Sequence, residues 1–179
     1  MTGNDWLSLG IVLVCLLLSA FFAGSETALT ASSRASMARL EKHGNRRAAI
    51  VNRLLERRER LLGALLFGNN AVNIAASALA TGVLLAWFGS AGVVYATVAM
   101  TILVVVFSEI LPKTAAFNAP DRIALAVARP MYWIVKVLGP VLVAIEALVR
   151  WLLKFVGMTV GKDQEVLSAR EELRVASAA

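Results

Sequence analysis

The chain has 179 residues, of which 59% are hydrophobic and only 17% charged, a balance that excludes an ordinary soluble domain. The formal charge of +6 comes from Lys and Arg lying between and beside apolar blocks. No aromatic platform is interleaved with them, so the charge points to a membrane surface and not to nucleic acid. The single cysteine, Cys15, lies inside an apolar block and is read as a small core residue; the single histidine, His43, is read as a surface residue.

The first apolar block covers about 6–30, long enough to cross the hydrocarbon core as a tilted helix. Met1 to Trp6 carries Asp5 and no Lys or Arg, unlike the positive start of a secretory signal, so the block is expected to remain in the mature protein. Residues 33–60 then hold Arg34, Arg39, Lys42, Arg46, Arg47, Arg53, Arg57, Arg58 and Arg60 against Glu41, Glu56 and Glu59. A short loop this basic stays in the cytoplasm, because translocation would drag its charges through hydrocarbon and against the membrane potential. The N-terminus is therefore expected outside. Met37, Leu40, Ile50, Leu54 and Leu55 recur at roughly helical spacing and Gly44-Asn45 is a turn signal. Together they predict a short helical hairpin lying along the anionic headgroups of the inner leaflet.

The second block, 61–87, returns outward; residues 88–92 make a tight external turn, and the third block, 93–111, comes back in. Trp87 and Tyr95 suit the interfacial aromatic belt. The apolar stretch after residue 120 is interrupted by Arg129-Pro130, Lys136, Gly139-Pro140, Glu146 and Arg150. Burying such charges at the bilayer centre costs ~2.5–3.5 kcal/mol each on insertion scales. A kinked belt over 121–158, anchored by Trp133, Trp151, Lys136, Arg150 and Lys154, is therefore expected at the cytoplasmic interface. The alternative, a fourth crossing, would put the C-terminus outside. The polar tail, with a capping-box pattern at Ser168 to Glu171, is expected to begin a helix leading into a soluble cytoplasmic region.

The fold class that follows is an all-α membrane protein of three transmembrane helices plus cytoplasmic-side juxtamembrane amphipathic belt helices. Residues 1–160 form the transmembrane domain, and 161–179 start a cytoplasmic linker.

Costly polar residues inside the crossings are few: Ser19, Ser25 and Glu26 in the first, Asn69, Asn70, Asn73 and Ser77 in the second, Ser108 and Glu109 in the third. Ser25, Glu26, Ser108 and Glu109 fall near inner helix ends, and Asn70 lies nine residues above one, or ~14 Å at 1.5 Å per residue. Three segments thus bring oxygen ligands to the inner half of the bilayer. An intramembrane carboxylate such as Glu109 needs a cation, a proton or water to be tolerable. Carboxylate, amide and hydroxyl oxygens are hard ligands suited to Mg²⁺, Ca²⁺ or Na⁺.

Asn70, Asn73 and Ser77 share one side of the second helix, whereas Asn69 points a quarter turn or more away. Pro112 disrupts the backbone bond to the Ser108 carbonyl, freeing an acceptor beside Glu109. Gly24 and Gly68 permit close helix approach. Blander readings remain open for several of these residues. Ser19 and Ser77 could bond their own helix, Asn70 or Asn73 could only join helices, and Glu109 could pair with Lys113 at i+4.

Ser19-Ala20-Phe21-Phe22-Ala23-Gly24-Ser25-Glu26-Thr27-Ala28-Leu29, Gly68-Asn69-Asn70-Ala71-Val72-Asn73-Ile74 and Ser108-Glu109-Ile110-Leu111-Pro112-Lys113, in that order, resemble the transmembrane domain of the CorC/CNNM (cyclin M-like) magnesium transporters. The resemblance covers nearly the whole chain. It implies a homodimer in the cell membrane, with three crossings and a belt per subunit, the N-terminus outside and the C-terminus cytoplasmic. It further implies a dehydrated Mg²⁺ held between the helices in an inward-facing cavity and exported in a Na⁺-linked process. By motif position the ligands are Ser25, Asn70 and Glu109, with Ser19, Gly68, Asn73 and Ser108 as further contributors. Gly24, Glu26, Pro112 and Lys113 take structural or gating roles. The resemblance also implies cytoplasmic CBS modules in the full-length protein, to which the polar tail is expected to connect.

No nucleophile and base pair, thiolate cluster or phosphate-cradling glycine loop is present, so the chain is not read as an enzyme. The alternatives to transport are a Mg²⁺-sensing membrane scaffold without net flux and a carrier of another cation.

Overall fold

The computed structural model describes residues 3–155, so the proposed linker over 161–179 and the end of the belt lie outside the described residues. Among the described residues every regular element is helical. Two compact units are distinguished, 1–138 and 139–179.

The first apolar block forms α1, Gly3–Ala31. Its C-terminal third is its most buried part, with Phe22, Ala23, Ala28 and Leu29 all buried. Ser33 then caps α2, Arg34–Lys42, by accepting from the Ser36 amide at 3.3 Å. Asn45 caps α3, Arg46–Glu56, by accepting from the amides of Arg47 and Ala48 at 3.0 and 3.3 Å. These two caps satisfy orphan amides at the helix starts and fix the turn expected at Gly44-Asn45. The hairpin buries Met37, Ala48, Val51, Leu54 and Leu55 while its arginines stay exposed.

After Arg57, α4 runs Arg58–Phe88, and a turn at Gly89-Ser90 leads into α5, Ala91–Ile102. Gly92 is buried, and a Cβ there would collide with the Leu84 carbonyl, so this position admits only glycine. Trp87 donates from Nε1 to Oδ2 of Asp5 at 3.1 Å, tying the C-terminal end of α4 to the N-terminal end of α1. The third block changes register midway: Leu103–Ile110 is π-helical, and α6, Leu111–Asn118, completes it. The helix pairs that pack include α1 with α4, α1 with α6 and α4 with α5.

The stretch expected to be a broken belt is instead one helix, α7, Pro120–Phe155. Among the described residues four helices are therefore long and apolar enough to cross a membrane, one more than the three crossings expected: Asp5–Ala31, Arg58–Phe88, Ala91–Asn118 and Pro120–Leu153. The correction has a simple cause. Pro130 and Pro140 are ten residues apart, each removes one donor, and neighbouring bonds carry the helix past them. Within the first unit α7 buries Ala124, Ala128 and Met131 against Leu29, Met37 and the α3 face. Arg122, Arg129 and Lys136, seven residues apart and exposed, lie roughly opposite that packed line. Lys136 also sits over the Trp133 ring, 5.0 Å from its centroid. The helix keeps the amphipathic facing of an interfacial element even though it is not broken into pieces.

Candidate functional site

Gly68 brings α1 and α4 together: a Cβ there would lie 2.5 Å from Cζ of Phe22, so only hydrogen fits against that buried ring. One residue further, Asn69 enters the α1 interface. Its Oδ1 accepts from the Ser19 hydroxyl at 2.7 Å, and its Nδ2 donates to Oε1 of Glu109 at 2.7 Å. Asn73, one turn on, also donates to Asn69 Oδ1, at 3.5 Å. Oε2 of Glu109 lies 2.9 Å from the Lys113 ammonium, which is also 3.6 Å from Oε2 of Glu26.

A continuous polar chain therefore runs Ser19, Asn69, Glu109, Lys113, Glu26, leaving α1 and returning to it seven residues later. Seven residues are two turns, which puts Ser19 and Glu26 on one face of α1. Glu109 is the more enclosed carboxylate, its side chain 28% exposed against 45% for Glu26. Each of its oxygens accepts one bond and retains a further lone pair.

Ser108 is buried and donates to the Leu16 carbonyl at 3.1 Å, holding the π-helical stretch against α1. Leu111 N–H bonds the Val106 carbonyl, five residues back. Pro112, the next residue, has no amide hydrogen with which to continue that ladder. Gly24 sits against Pro112, with a Cβ position 3.4 Å from the proline Cβ. The residues assigned structural or gating roles thus meet in two contacts, Gly24 with Pro112 and Glu26 with Lys113.

Among the described residues two buried side-chain oxygens have no hydrogen-bond partner, Ser25 Oγ and Asn73 Oδ1. Leaving such a group unsatisfied costs about 1–3 kcal/mol, and a hard cation is one partner that would satisfy it. No cluster of three or more His, Cys, Asp and Glu side chains occurs among the described residues. A cation held here would draw on amide and hydroxyl oxygens around one carboxylate.

The sequence reading placed Asn70 beside Glu109 and turned Asn69 away; the structure reverses the two. Asn70 is exposed and lines an open groove of about 740 Å³ between α4 and α5, with Asn73, Ser77, Thr81, Thr97 and Thr101. Asn70, Asn73 and Ser77 do share a side of α4, as expected. That side belongs to the groove, and Asn73 alone of the three also touches the polar chain.

Helices of this length and composition, joined by a polar chain that passes through three of them, define an all-α, multi-pass membrane domain. The chain belongs to the cyclin M transmembrane N-terminal domain family, whose model matches residues 10–178. It is 36% identical to a UPF0053 protein of Haemophilus influenzae over 164 residues, 92% of this chain and 39% of that protein. It is 38% identical to the UPF0053 inner membrane protein YfjD of Escherichia coli over 160 residues, 88% of this chain and 37% of the relative. A chloroplastic DUF21 domain-containing protein of Arabidopsis thaliana is 36% identical over 151 residues, 83% of this chain and 23% of its own length. The chain thus spans about two fifths of the length of the two bacterial relatives.

Proposed function

We propose that this domain binds Mg²⁺ between its helices and moves it out of the cytoplasm, with Na⁺ as the linked ion and Glu109 as the anionic ligand. The observation that carries the reading is the enclosed Glu109 carboxylate, held by Asn69 and Lys113 with lone pairs to spare, near helices that carry two buried unpartnered oxygens. Asn69 takes the place first given to Asn70, which joins the site only if α4 turns by about 100°, one residue's rotation. Ser25 and Asn73 offer the free oxygens; Ser19, Gly68 and Ser108 complete the wall. Mg²⁺ sheds water reluctantly and wants near-octahedral oxygens at ~2.0–2.1 Å, so helix movement must draw these oxygens together around the ion.

The working unit in this reading is a homodimer in the cell membrane. Its N-terminus is outside and its C-terminus cytoplasmic, α2 and α3 rest on anionic lipid, and CBS modules are expected to follow in the full-length protein. The test is calorimetric titration of Mg²⁺ into the detergent-solubilised protein and its Glu109→Gln variant. Affinity should fall at least tenfold with the unfolding midpoint of the metal-free protein little changed; equal affinity would remove Glu109 from the site. Flux into proteoliposomes carrying a Mg²⁺ dye separates transport from a sensing scaffold, for which binding persists without flux. Competition by Ca²⁺, Mn²⁺ and Na⁺ identifies the cargo.

A further inference from the structure

Lys113 is shared unequally between two carboxylates, 2.9 Å from Glu109 and 3.6 Å from Glu26. Both acids sit within reach of one flexible four-carbon stem, so the ammonium passes between them by side-chain rotation alone. From this geometry we infer that Lys113 is a tethered competitor for the cation site: it occupies Glu109 when the site is free of cargo and withdraws to Glu26 when a divalent cation binds. The inference rests on Glu109 being the cation ligand and assigns the regulation of that site.

The chemistry requires some such exchange. A divalent cation on Glu109 and an ammonium at hydrogen-bond distance from the same carboxylate repel each other in a medium of low dielectric. Glu26, the more exposed acid, offers the ammonium an alternative partner at little desolvation cost. Release is helped in the same way, since the returning ammonium replaces the departing ion and spares Glu109 from standing uncompensated within the helices. Lys113 and Glu26 are therefore positioning residues acting through Glu109, not ligands.

A double-mutant cycle read by calorimetric Mg²⁺ titration of the solubilised full chain tests this. Lys113→Met removes the competitor and should tighten binding by roughly tenfold, the scale of one charge-assisted hydrogen bond. Lys113→Arg keeps the charge and should not tighten it. Glu26→Gln removes the second station and should weaken binding by a similar factor, but only while Lys113 is present; in the Lys113→Met background it should have no further effect. Equal weakening by Glu26→Gln in both backgrounds would mean plain charge loss and would overturn the inference. So would weaker or unchanged binding in Lys113→Met, with a metal-free unfolding midpoint like the parent's confirming that the variant is folded. Glu109→Gln serves as the reference: if it leaves affinity unchanged the site assignment itself fails, whereas loss in Glu109→Gln without the coupling sinks only the exchange.

Discussion

Replacing Asn69 by alanine removes the one side chain that joins all three packed segments of the polar chain. Two bonds of 2.7 Å are lost, one neutral to Ser19 and one to the Glu109 carboxylate. A bond to a charged group is worth ~1.5–3 kcal/mol, and a neutral bond between membrane helices averages ~0.6 kcal/mol. Ser19, which is wholly buried, is left without its acceptor and is free to turn back to its own helix, recovering part of the loss. The sum is roughly 2–4 kcal/mol, a fall of several degrees in the unfolding midpoint for a domain of this size. Asn70→Ala is the matched control, because that side chain is exposed in the α4–α5 groove and should cost under ~0.5 kcal/mol. Thermal unfolding of both solubilised variants without Mg²⁺ gives the comparison. An Asn70→Ala penalty equal to or above that of Asn69→Ala would refute the assignment of Asn69 as the hub.

Three further outcomes are expected. Gly68→Ala pushes a methyl into the Phe22 ring and should cost ~1–3 kcal/mol by overpacking, much of it restored by adding Phe22→Leu; absence of any recovery in the double variant would mean the strain lies elsewhere. Asp121 accepts the Ser33 amide at 2.9 Å across the start of α7, so Asp121→Ala should lower stability by ~1–2 kcal/mol and speed proteolysis between α1 and α2, whereas an unchanged cleavage rate would leave that clip without a role. Topology is read by single cysteines in a Cys15→Ser background, labelled with an impermeant maleimide. Cysteine at Arg46 and at Leu148 should react from the same side, as an interfacial α7 requires; reaction from opposite sides would make α7 a crossing and put the C-terminus outside.

Much of the fold is visible in the sequence because apolar blocks, a basic loop and a Gly-Asn turn each have a direct physical consequence. The place of Asn69 was harder to see. Depth along a helix follows from residue count, but direction around it does not, since lipid-facing and protein-facing sides are both apolar in a membrane helix. Small residues were the available signal. Ala76 and Ala80 are fully or nearly fully buried, and at 100° per residue both fall within about 20° of Asn69, whereas Asn70 is 80–120° from them. Leu66 and Ile74, four residues either side of Asn70, are 67% and 70% exposed. The π-helical stretch had no comparable mark beyond Pro112, because Leu103 to Phe107 would fit an α-helix equally well. The continuity of α7 is hidden for a related reason: each isolated proline removes a single backbone bond, and in an apolar helix neighbouring groups re-satisfy what it frees.

Structure and cargo binding also separate along the polar chain. Asn69 satisfies the buried Ser19 hydroxyl and one oxygen of the largely enclosed Glu109 carboxylate, so its loss falls on the fold. Glu109 already has a built-in counter-ion in Lys113, so the helices can assemble around a compensated carboxylate before any metal arrives. Its neutral isostere still accepts the Asn69 amide and loses mainly the charge. Asn69→Ala should therefore lower stability with or without Mg²⁺, while Glu109→Gln should leave the metal-free midpoint nearly intact and abolish the rise that Mg²⁺ produces, which by mass action is about 2.7 kcal/mol at one hundred times the dissociation constant. A Mg²⁺-dependent rise of undiminished size in Glu109→Gln would place the ion elsewhere in the chain.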